Sequence, residues 1–341
     1  MQDQQFFSQW IERSLPSTVT SSGLLQLEAL AGDAGFRRYF RSNTQPSLIA
    51  VNSPPKKEKN AEYVSLSLFL QSQGLVTPII HAVNFTHGYM LVEDFGGTLF
   101  SQQLEVVDSG VLYDQAETEL IKIQRATEKA PAIPLHDETK IDQELALFEQ
   151  WFLNSLLNYQ LNSDEKALLE SFFTAIKNSA KEQPQVMIHA DYHSRNLMIL
   201  EQNKLGVIDF QDAMLGAITY DLVSLLKDCY VCWPESWVTE RALAYKQRLM
   251  SAGLLADVAD SQFLKWFDFM GLQRHIKVLG IFSRLALRDS KRGYLNDMPL
   301  VVHYCLEASS KYPQAEAFNH WFKQTVLPLL AQQSWYSDKE L

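Results

Sequence analysis

The spacing of apolar residues predicts a strand-rich region at the start of the chain. Residues 3–14 form an amphipathic pattern with Phe6, Phe7, Trp10 and Ile11 on one side, which predicts a helix. Short apolar runs of strand length then follow at residues 24–30, 36–41, 48–52, 77–83 and 88–92. A second helix is expected between the third and fourth of these runs, from about Asn60 until Gly74 ends it.

Beyond residue 96 the pattern becomes mostly helical. Helices are expected over residues 112–129, 141–159 and 219–229, from about residue 163, and through much of the C-terminal region. A chain of 341 residues is long enough for two lobes. We therefore predict an α+β fold with a small β-rich N-terminal lobe, residues 1–96, and a larger helical C-terminal lobe, residues 97–341.

Residues 186–213 interrupt the helices with short strands that end in polar residues. Apolar runs at residues 186–188 and 205–208 predict strands, and residues 197–200 with the turn 201–204 make a hairpin between them plausible. Asp191, Asn196 and Asp209 would then lie at the ends of adjoining strands. Asn196 stands at the fifth position after Asp191, which is the offset of the kinase catalytic loop, and Asp209 opens Asp-Phe-Gln where kinases have Asp-Phe-Gly.

Phosphoryl transfer from ATP requires this combination of side chains. One carboxylate orients the acceptor hydroxyl, here Asp191, and two oxygen donors hold Mg²⁺, here Asn196 and Asp209. Each residue alone is a common turn residue, so the prediction rests on the joint spacing. The alternation of His189, Asp191 and His193 leaves a transition-metal site open as an alternative. We expect instead that His189 is a buried residue bonding the loop backbone and that His193 lines the cleft.

The phrases HADYHSRN and VIDFQDA resemble the aminoglycoside phosphotransferase and choline kinase superfamily. This resemblance implies a protein-kinase-like two-lobe fold, with ATP and Mg²⁺ as cofactors. The longer phrase IDFQDAMLGAITYDLVSLLKDCYVCWP is similar to anomeric sugar kinases, as are GDAGFRRYFRS and QRHIKVLGIFSRLALRD. This similarity to anomeric sugar kinases implies that the acceptor is the C1 hydroxyl of N-acetylmuramate or N-acetylglucosamine, in cell-wall (peptidoglycan) recycling.

The nucleotide is expected to bind residues of the N-terminal lobe. Gly32 and Gly35, in the predicted turn 31–35, would let the backbone approach the phosphates. Residues 93–97 would form the hinge, and backbone groups of Glu93, Asp94 and Phe95 would hold adenine. The predicted strand 48–52 contains no lysine to bind the phosphates, so the candidate cations are Arg38, Arg41, Lys56 and Lys57. Glu62 is the candidate carboxylate to orient such a cation, although an exposed glutamate explains it equally well.

The acceptor sugar is assigned residues of the C-terminal lobe. Resemblance suggests Asp142, Glu144 and Trp151 near the sugar, and His193 lies close to Asp191 in sequence. The basic segment 274–292 adds Arg274, His275 and Lys277, which either attract a carboxylate such as the lactyl group of N-acetylmuramate or belong to a solvated helix face. Asp221, near the start of a predicted helix, is expected to tether the catalytic loop.

Composition narrows the range of partners. A formal net charge of −10, from 30 Lys and Arg against 40 Asp and Glu, argues against nucleic acid. Three cysteines do not make a disulfide framework. The first residues do not resemble a secretory signal and no apolar run reaches about 20 residues, so we expect no membrane association and a cytoplasmic location. The oligomeric state stays open.

Two alternatives to the sugar kinase remain. A kinase of the same fold could phosphorylate choline, homoserine or an aminoglycoside, although the basic segment disfavours cationic acceptors. A catalytically silent nucleotide- or sugar-binding module is the other, because the strand lysine is missing; the retained Asp191, Asn196 and Asp209 argue against it. Ala190 replaces the arginine that often precedes the catalytic aspartate, which argues against regulation by a phosphorylated loop.

Overall fold

The computed structural model describes residues 2–21, 23–30 and 35–336. The chain forms two compact units. The first comprises Met1–Lys122, Lys129–Pro131 and Arg195–Asp212, and the second comprises Ile123–Glu128, Ala132–Ser194 and Ala213–Leu341. These bounds divide the chain differently from the lobe boundary predicted near residue 96, which stays a prediction.

The strands in the described residues are short. They are β1 (Thr20–Ser21), β2 (Leu27–Ala29), β3 (Arg38–Ser42), β4 (Thr44–Gln45), β5 (Leu48–Asn52), β6 (Ile80–Asn84), β7 (Tyr89–Glu93), β8 (Gln185–Ile188), β9 (Leu197–Ile199), β10 (Leu205–Val207) and β11 (Met214–Ala217).

The α-helices dominate the chain after β7. They are α1 (Gln2–Arg13), α2 (Asn60–Ser72), α3 (Phe100–Gln103), α4 (Ser109–Arg125), α5 (Glu138–Leu147), α6 (Ser163–Lys181), α7 (Tyr220–Leu226), α8 (Glu235–Ser251), α9 (Asp260–Leu287), α10 (Met298–Ser309), α11 (Pro313–Trp321) and α12 (Leu327–Leu330). Two π-helical segments, Phe148–Leu156 and Phe322–Val326, continue α5 and α11, and short 3₁₀ turns occupy Ala126–Lys129, Glu201–Asn203 and Arg292–Asp297.

The first unit contains a five-stranded antiparallel sheet in the order β2-β3-β5-β7-β6. The central strand β5 is mostly a continuous apolar run, and most of its side chains are buried. Leu48 and Ala50 of β5 pack in one cluster with Phe7 and Ile11 of α1 and with Leu91 of β7. The predictions of α1, β5 and α2 are confirmed, including the end of α2 at Gly74, whose φ is +81°.

The second unit is built around α9, a helix of 28 residues that is buried along much of its length. α9 packs closely against the end of α5, where a Cβ atom on Gly280 would lie 2.5 Å from the backbone carbon of Leu147. Sequence periodicity predicted one helix over residues 141–159. The structure has α5 followed by a π-helical segment, in which Phe148, Phe152 and Leu153 are buried.

The hairpin predicted between residues 197–200 and 205–208 is confirmed, but the strand at residues 186–188 pairs outside it. β8 pairs with β11, and β9 pairs with β10, in separate two-stranded antiparallel sheets. The expectation that residues 186–188 and 205–208 are adjoining strands was therefore wrong. β11, the partner of β8, was not predicted as a strand because it contains a glycine. A Cβ atom on that residue, Gly216, would lie 2.6 Å from Cδ1 of Ile188 in β8. Among the helices in the described ranges, none is both long enough and apolar enough to cross a membrane.

Candidate functional site

In the second unit, the loop after β8 carries His189, Asp191 and His193. The carboxylate of Asp221, in the first turn of α7, accepts hydrogen bonds from the backbone N–H groups of His189 at 2.6 Å and Ala190 at 3.1 Å. Both donors directly precede Asp191, so this carboxylate fixes the start of the loop. The prediction that Asp221 tethers the loop is confirmed.

Ala190 is held from two sides. Its φ is +76°, in the left-handed region that residues other than glycine rarely adopt. Its N–H donates to Asp221, and its carbonyl oxygen accepts a hydrogen bond of 3.1 Å from Nη1 of the buried Arg274 of α9. Two helices, α7 and α9, therefore set the backbone direction immediately before Asp191.

Further hydrogen bonds order the rest of this loop. Nδ1 of His189, which is buried, accepts from the N–H of Asp191 at 3.3 Å. The N–H of His193 donates to the carbonyl oxygen of Asp191 at 3.0 Å, and the carboxylate of Asp228 accepts from the N–H of Ser194 at 2.9 Å. His189 is therefore the buried, loop-bonding histidine that the sequence predicted.

Positive side chains surround Asp191. Burial raises the pKa of Asp191, but the charges of Lys277, His193 and Arg274 lower it by a larger amount. The pKa of Asp191 therefore lies below its ordinary value. The carboxylate is therefore ionised near neutral pH. An ionised carboxylate can accept a hydrogen bond from a hydroxyl group and later take its proton.

Lys277 belongs to a network of buried polar groups. Its Nζ lies 3.3 Å from Oε1 of Glu144 and donates a hydrogen bond of 3.0 Å to the hydroxyl of Tyr220. Oε2 of Glu144 accepts from Gln273 at 2.7 Å and lies 3.0 Å from Nε2 of His136. Burial raises the pKa of Glu144, but Lys277 and His136 more than reverse that effect. Glu144 and Lys277 therefore form an ion pair in this network.

The other residues predicted for the acceptor side lie in different settings. Asp142 is exposed and forms an ion pair with Lys177 of α6 at 2.8 Å. Trp151 is half-buried in the π-helical segment, and His193 contacts the ring of Tyr230 with 5.5 Å between ring centroids.

His275 is buried in α9. Its Nε2 lies 3.0 Å from the carbonyl oxygen of Lys227, and its ring stacks on Tyr304. Burial lowers the pKa of His275 to about 3, so the ring is neutral. The structure thus brings Arg274 and Lys277 to the surroundings of Asp191, whereas the contacts described for His275 are with Lys227 and Tyr304.

In the first unit, Asn196 and Asp209 flank the paired strands of the β9–β10 hairpin at the same end. The N–H of Ile208 donates to the carbonyl oxygen of Asn196 at 3.1 Å, which extends the strand register to these residues. Asp209 has a φ of +64°, and its Oδ1 accepts from Gln211 at 2.8 Å. An amide oxygen and a carboxylate are hard donors of the kind that Mg²⁺ prefers.

No group of three or more His, Cys, Asp or Glu side chains within residues 2–21, 23–30 and 35–336 could hold a metal ion. The alternation of His189, Asp191 and His193 therefore does not form a transition-metal centre in the structure. A pair of oxygen donors is a different kind of site, because Mg²⁺ in nucleotide enzymes takes its remaining ligands from water and phosphate.

Arg41 and Asp94 brace the segment predicted to be the hinge. Arg41 donates to both carboxylate oxygens of Asp94, at 2.6 and 3.0 Å, and its Nη2 also donates to the carbonyl oxygen of Gly96 at 2.8 Å. Asp94 also accepts from Ser47 at 2.7 Å and from the N–H of Gly96 at 2.9 Å. Arg41, one of the candidate phosphate cations, is therefore paired with a carboxylate, that of Asp94 in the predicted hinge segment.

The remaining nucleotide-side candidates are more loosely placed. Gly32 lies outside the described residues, Gly35 is exposed, and the exposed Arg38 pairs across β3 and β5 with Asn52. Glu93 accepts a hydrogen bond of 3.1 Å from the N–H of Ile79, and the ring of Phe95 packs on Gly206, where a Cβ atom would lie 2.7 Å from the ring. Glu62 is exposed on α2.

Three members of the Glu144 network were not predicted from the sequence: His136, which lies just before α5, and the two uncharged residues Tyr220 and Gln273. The hydrogen bond between Tyr220 and Lys277 joins residues that are 57 positions apart in the sequence, and the one between Gln273 and Glu144 joins residues that are 129 positions apart. Neither residue is charged, and neither stands in a local pattern that differs from ordinary helix sequence. Only the packing of α5, α7 and α9 reveals them.

The chain is similar in sequence to known proteins. A model of the phosphotransferase enzyme family matches residues 26–256. The chain is 35% identical over 323 residues to an N-acetylmuramate/N-acetylglucosamine kinase of Pseudomonas aeruginosa, covering 92% of this chain and 95% of that protein.

Solved structures of low sequence identity share the fold. An ethanolamine kinase of Plasmodium vivax matches with a TM-score of 0.60 at 14% identity, over 86% of this chain and 83% of that one. The ADP-bound aminoglycoside phosphotransferase APH(2'')-Ib matches with a TM-score of 0.57 at 13% identity, over 92% of this chain and 98% of that one. The predicted α+β, protein-kinase-like fold is confirmed. The chain belongs to the phosphotransferase enzyme family and is a small-molecule kinase.

Proposed function

We propose that the protein transfers the γ-phosphoryl group of ATP to the anomeric hydroxyl of N-acetylmuramate, N-acetylglucosamine or both. The observation that carries the chemistry is the fixed, ionised Asp191 on a loop tied by Asp221 and Arg274. The 35% identity to a kinase of these two sugars, over 92% of the chain, supports the choice of acceptor.

Asp191 would act on the acceptor hydroxyl. Its carboxylate accepts a hydrogen bond from that hydroxyl, directs the oxygen toward the phosphorus and takes the proton late in the transfer. The surrounding cations keep Asp191 ionised, so that it is ready to accept the proton. They also suit an anionic acceptor better than a cationic one such as choline.

Asn196 and Asp209 would hold Mg²⁺ together with phosphate oxygens of ATP. The donor set fits the ion, because Mg²⁺ is usually bound by one or two protein oxygens, substrate phosphates and water. When bound, the ion neutralises charge on the phosphates during transfer. The register of the β9–β10 hairpin brings these two residues to the same end of one hairpin, where Gln211 donates a hydrogen bond to Asp209.

The Glu144–Lys277 pair would contact the sugar. Glu144 is buried and the side chain of Lys277 is 13% exposed, and their network contains Oε1 of Gln273, a buried atom that has no hydrogen-bond partner among the described residues. A sugar hydroxyl or acetamido N–H could supply that hydrogen bond, since a buried oxygen without one costs about 1–3 kcal/mol. Lys277 is the candidate contact for the carboxylate of N-acetylmuramate.

A coupled assay of ATP consumption tests the proposed function. The acceptors are N-acetylmuramate, N-acetylglucosamine, choline and an aminoglycoside, each with Mg²⁺ and each repeated without it. Turnover is expected with one or both amino sugars and only when Mg²⁺ is present. Turnover with choline or the aminoglycoside alone would refute the sugar assignment, and no turnover with any acceptor would favour a silent binding module.

A further inference from the structure

The first unit contains several cations but no lysine in its central strand β5, so the group that binds the ATP phosphates is not given by the strand pattern. A useful phosphate cation is fixed in place, close to the metal-binding residues, and not already neutralised by a bidentate carboxylate. These three requirements separate the candidates. The inference rests on the proposed use of ATP.

None of the four candidates named by the sequence meets all three requirements. Arg41 forms a bidentate ion pair with Asp94. Lys56 is exposed, and the exposed Lys57 lies over the ring of Phe36, at 4.0 Å from its centroid. The fourth, Arg38, is exposed at the start of β3, and no hydrogen bond or ion pair orients its side chain within the described residues.

Lys59 is a further cation of the same region. Its Nζ lies 2.6 Å from the carboxylate of Asp212, and both side chains are about half exposed. An exposed ion pair of this kind is weakly held, because both side chains remain solvated and lose entropy when they pair. Lys59 is therefore not fixed in place.

Arg37 meets the first requirement. Its side chain is buried, its Nε donates to Oγ of Ser53 at 3.2 Å, and its Nη2 lies 3.5 Å from the carbonyl oxygen of Lys59. The guanidinium also lies over the ring of Tyr63, at 5.1 Å from its centroid. These contacts from the end of β5 and the start of α2 hold the group in one orientation.

The charge of Arg37 is only partly balanced. Among the described residues, the nearest carboxylate oxygen belongs to Glu58 and lies 3.6 Å from Nε, which is too long for a hydrogen bond. The other oxygen of Glu58 accepts from the N–H of Phe36 at 2.7 Å. The contacts above use Nε and Nη2 of Arg37, whereas a guanidinium group carries five N–H donors. A buried guanidinium with donors to spare is suited to a bound anion, because burying an unpaired charge is otherwise costly.

Arg37 is also linked to the metal-binding residues. Tyr63, which lies under the guanidinium, stacks on Phe210 with 5.0 Å between ring centroids and 20° between ring planes. Phe210 directly follows Asp209, the proposed Mg²⁺ ligand. Two packed aromatic rings therefore connect the buried cation to the residue next to the proposed metal ligand.

We infer that Arg37 is the cation that binds the phosphate oxygens of the nucleotide, in place of a strand lysine, and that Glu58 holds it in position. Arg37 supplies a fixed positive charge and a fork of N–H donors, which match phosphate oxygens. Glu62, the carboxylate that the sequence suggested for this role, is exposed on α2 and is not the partner of Arg37 in the structure.

Titration calorimetry with ADP and with adenosine, both in Mg²⁺, tests this assignment. Arg37→Gln removes the charge, while its amide nitrogen takes the position of Nε and can keep the hydrogen bond to Ser53. It should weaken ADP binding by about 10- to 100-fold, the value of a charge-assisted hydrogen bond. Adenosine has no phosphates, so its affinity should stay within about twofold of wild type. Arg13→Gln, an exposed arginine of α1, is the matched control and should change neither affinity.

A second variant and the wild type complete the design. Arg37→Lys keeps the charge but loses the fork, so it should weaken ADP binding less than Arg37→Gln does and leave adenosine binding unchanged. Unchanged ADP affinity in Arg37→Gln, or equal losses for ADP and adenosine in either variant, would overturn the assignment of Arg37 alone. Wild-type protein that binds neither ligand would overturn the proposed function together with this inference.

Discussion

Two aspartates carry the proposed chemistry, and both are associated with left-handed backbone. Asp209 itself has a φ of +64°, and Ala190, with a φ of +76°, directly precedes Asp191. Such conformations cost of order 1 kcal/mol or more for residues other than glycine and persist only where other contacts enforce them. At Ala190 the enforcing contacts are the hydrogen bonds to Asp221 and Arg274. The strain turns the backbone so that the carboxylate that follows is held among cations.

Asp191→Asn should lower kcat by at least about 100-fold, because an amide can orient the acceptor hydroxyl but cannot take its proton. The affinity for the Mg²⁺–nucleotide complex should stay within about twofold of wild type, since the proposed metal ligands are Asn196 and Asp209. Steady-state turnover and nucleotide titration measure the two effects. Asp164→Asn, on the exposed first turn of α6, is the control; near-wild-type turnover in Asp191→Asn would remove Asp191 from its role.

The sequence alone identifies the proposed reacting groups but not the residues that hold them in place. Asp191, Asn196 and Asp209 were found because their spacing is local and their side chains are the ones the chemistry needs. The contact of Arg274 with the carbonyl oxygen of Ala190 spans 84 positions and depends on how α9 packs. Arg37 stands beside Arg38 in the sequence, and only burial distinguishes them. Local spacing therefore predicts reacting groups better than it predicts the groups that hold them.

At the scale of elements, glycine explains both a success and a failure of the sequence prediction. β5 and α2 were predicted because apolar periodicity and a terminating Gly74 agree over several residues. β11 was not predicted, because four residues that include a glycine carry no strand signal, although Gly216 is what lets β8 approach. The pairing of β8 with β11 is set by packing across the sheet, which periodicity along one strand cannot report.

The packing of α9 provides a test within one helix. Gly280→Ala should lower the free energy of unfolding by about 1–3 kcal/mol, because its Cβ would lie 2.5 Å from backbone atoms of Leu147, which cannot move aside freely. Gly271→Ala is the matched change, since its Cβ would meet Val223 at an ordinary 3.7 Å. There the alanine should stabilise by about 0.5–1 kcal/mol through helix propensity alone.

Urea denaturation of the two variants and the wild type, followed by circular dichroism, measures both changes. Opposite signs for the two glycines are the expected result. A stabilising Gly280→Ala would mean that α9 and α5 do not pack as closely as the structure describes.

At the scale of the whole molecule, the proposed roles are divided between the two compact units. Asn196 and Asp209 belong to the first unit, and Asp191, Glu144 and Lys277 belong to the second. The chain passes from one unit to the other between Ser194 and Arg195. Asp191, proposed for the acceptor hydroxyl, and Asn196, proposed for the metal, are therefore close in the sequence although they belong to different units. Nucleotide binding and turnover should therefore be separable by single substitutions in different units.

Thermal unfolding in the presence of ligand tests this separation. At 100 times its dissociation constant, the Mg²⁺–ATP complex should stabilise the wild type by about 2.7 kcal/mol. Asp191→Asn should gain nearly the same stabilisation, whereas Asp209→Ala should gain much less at that concentration, because it loses a metal ligand and its dissociation constant rises. Adenosine, which has no phosphates for the metal, should stabilise all three proteins equally. Equal stabilisation of Asp209→Ala and wild type by Mg²⁺–ATP would remove Asp209 from the metal site while leaving the role of Asp191 intact.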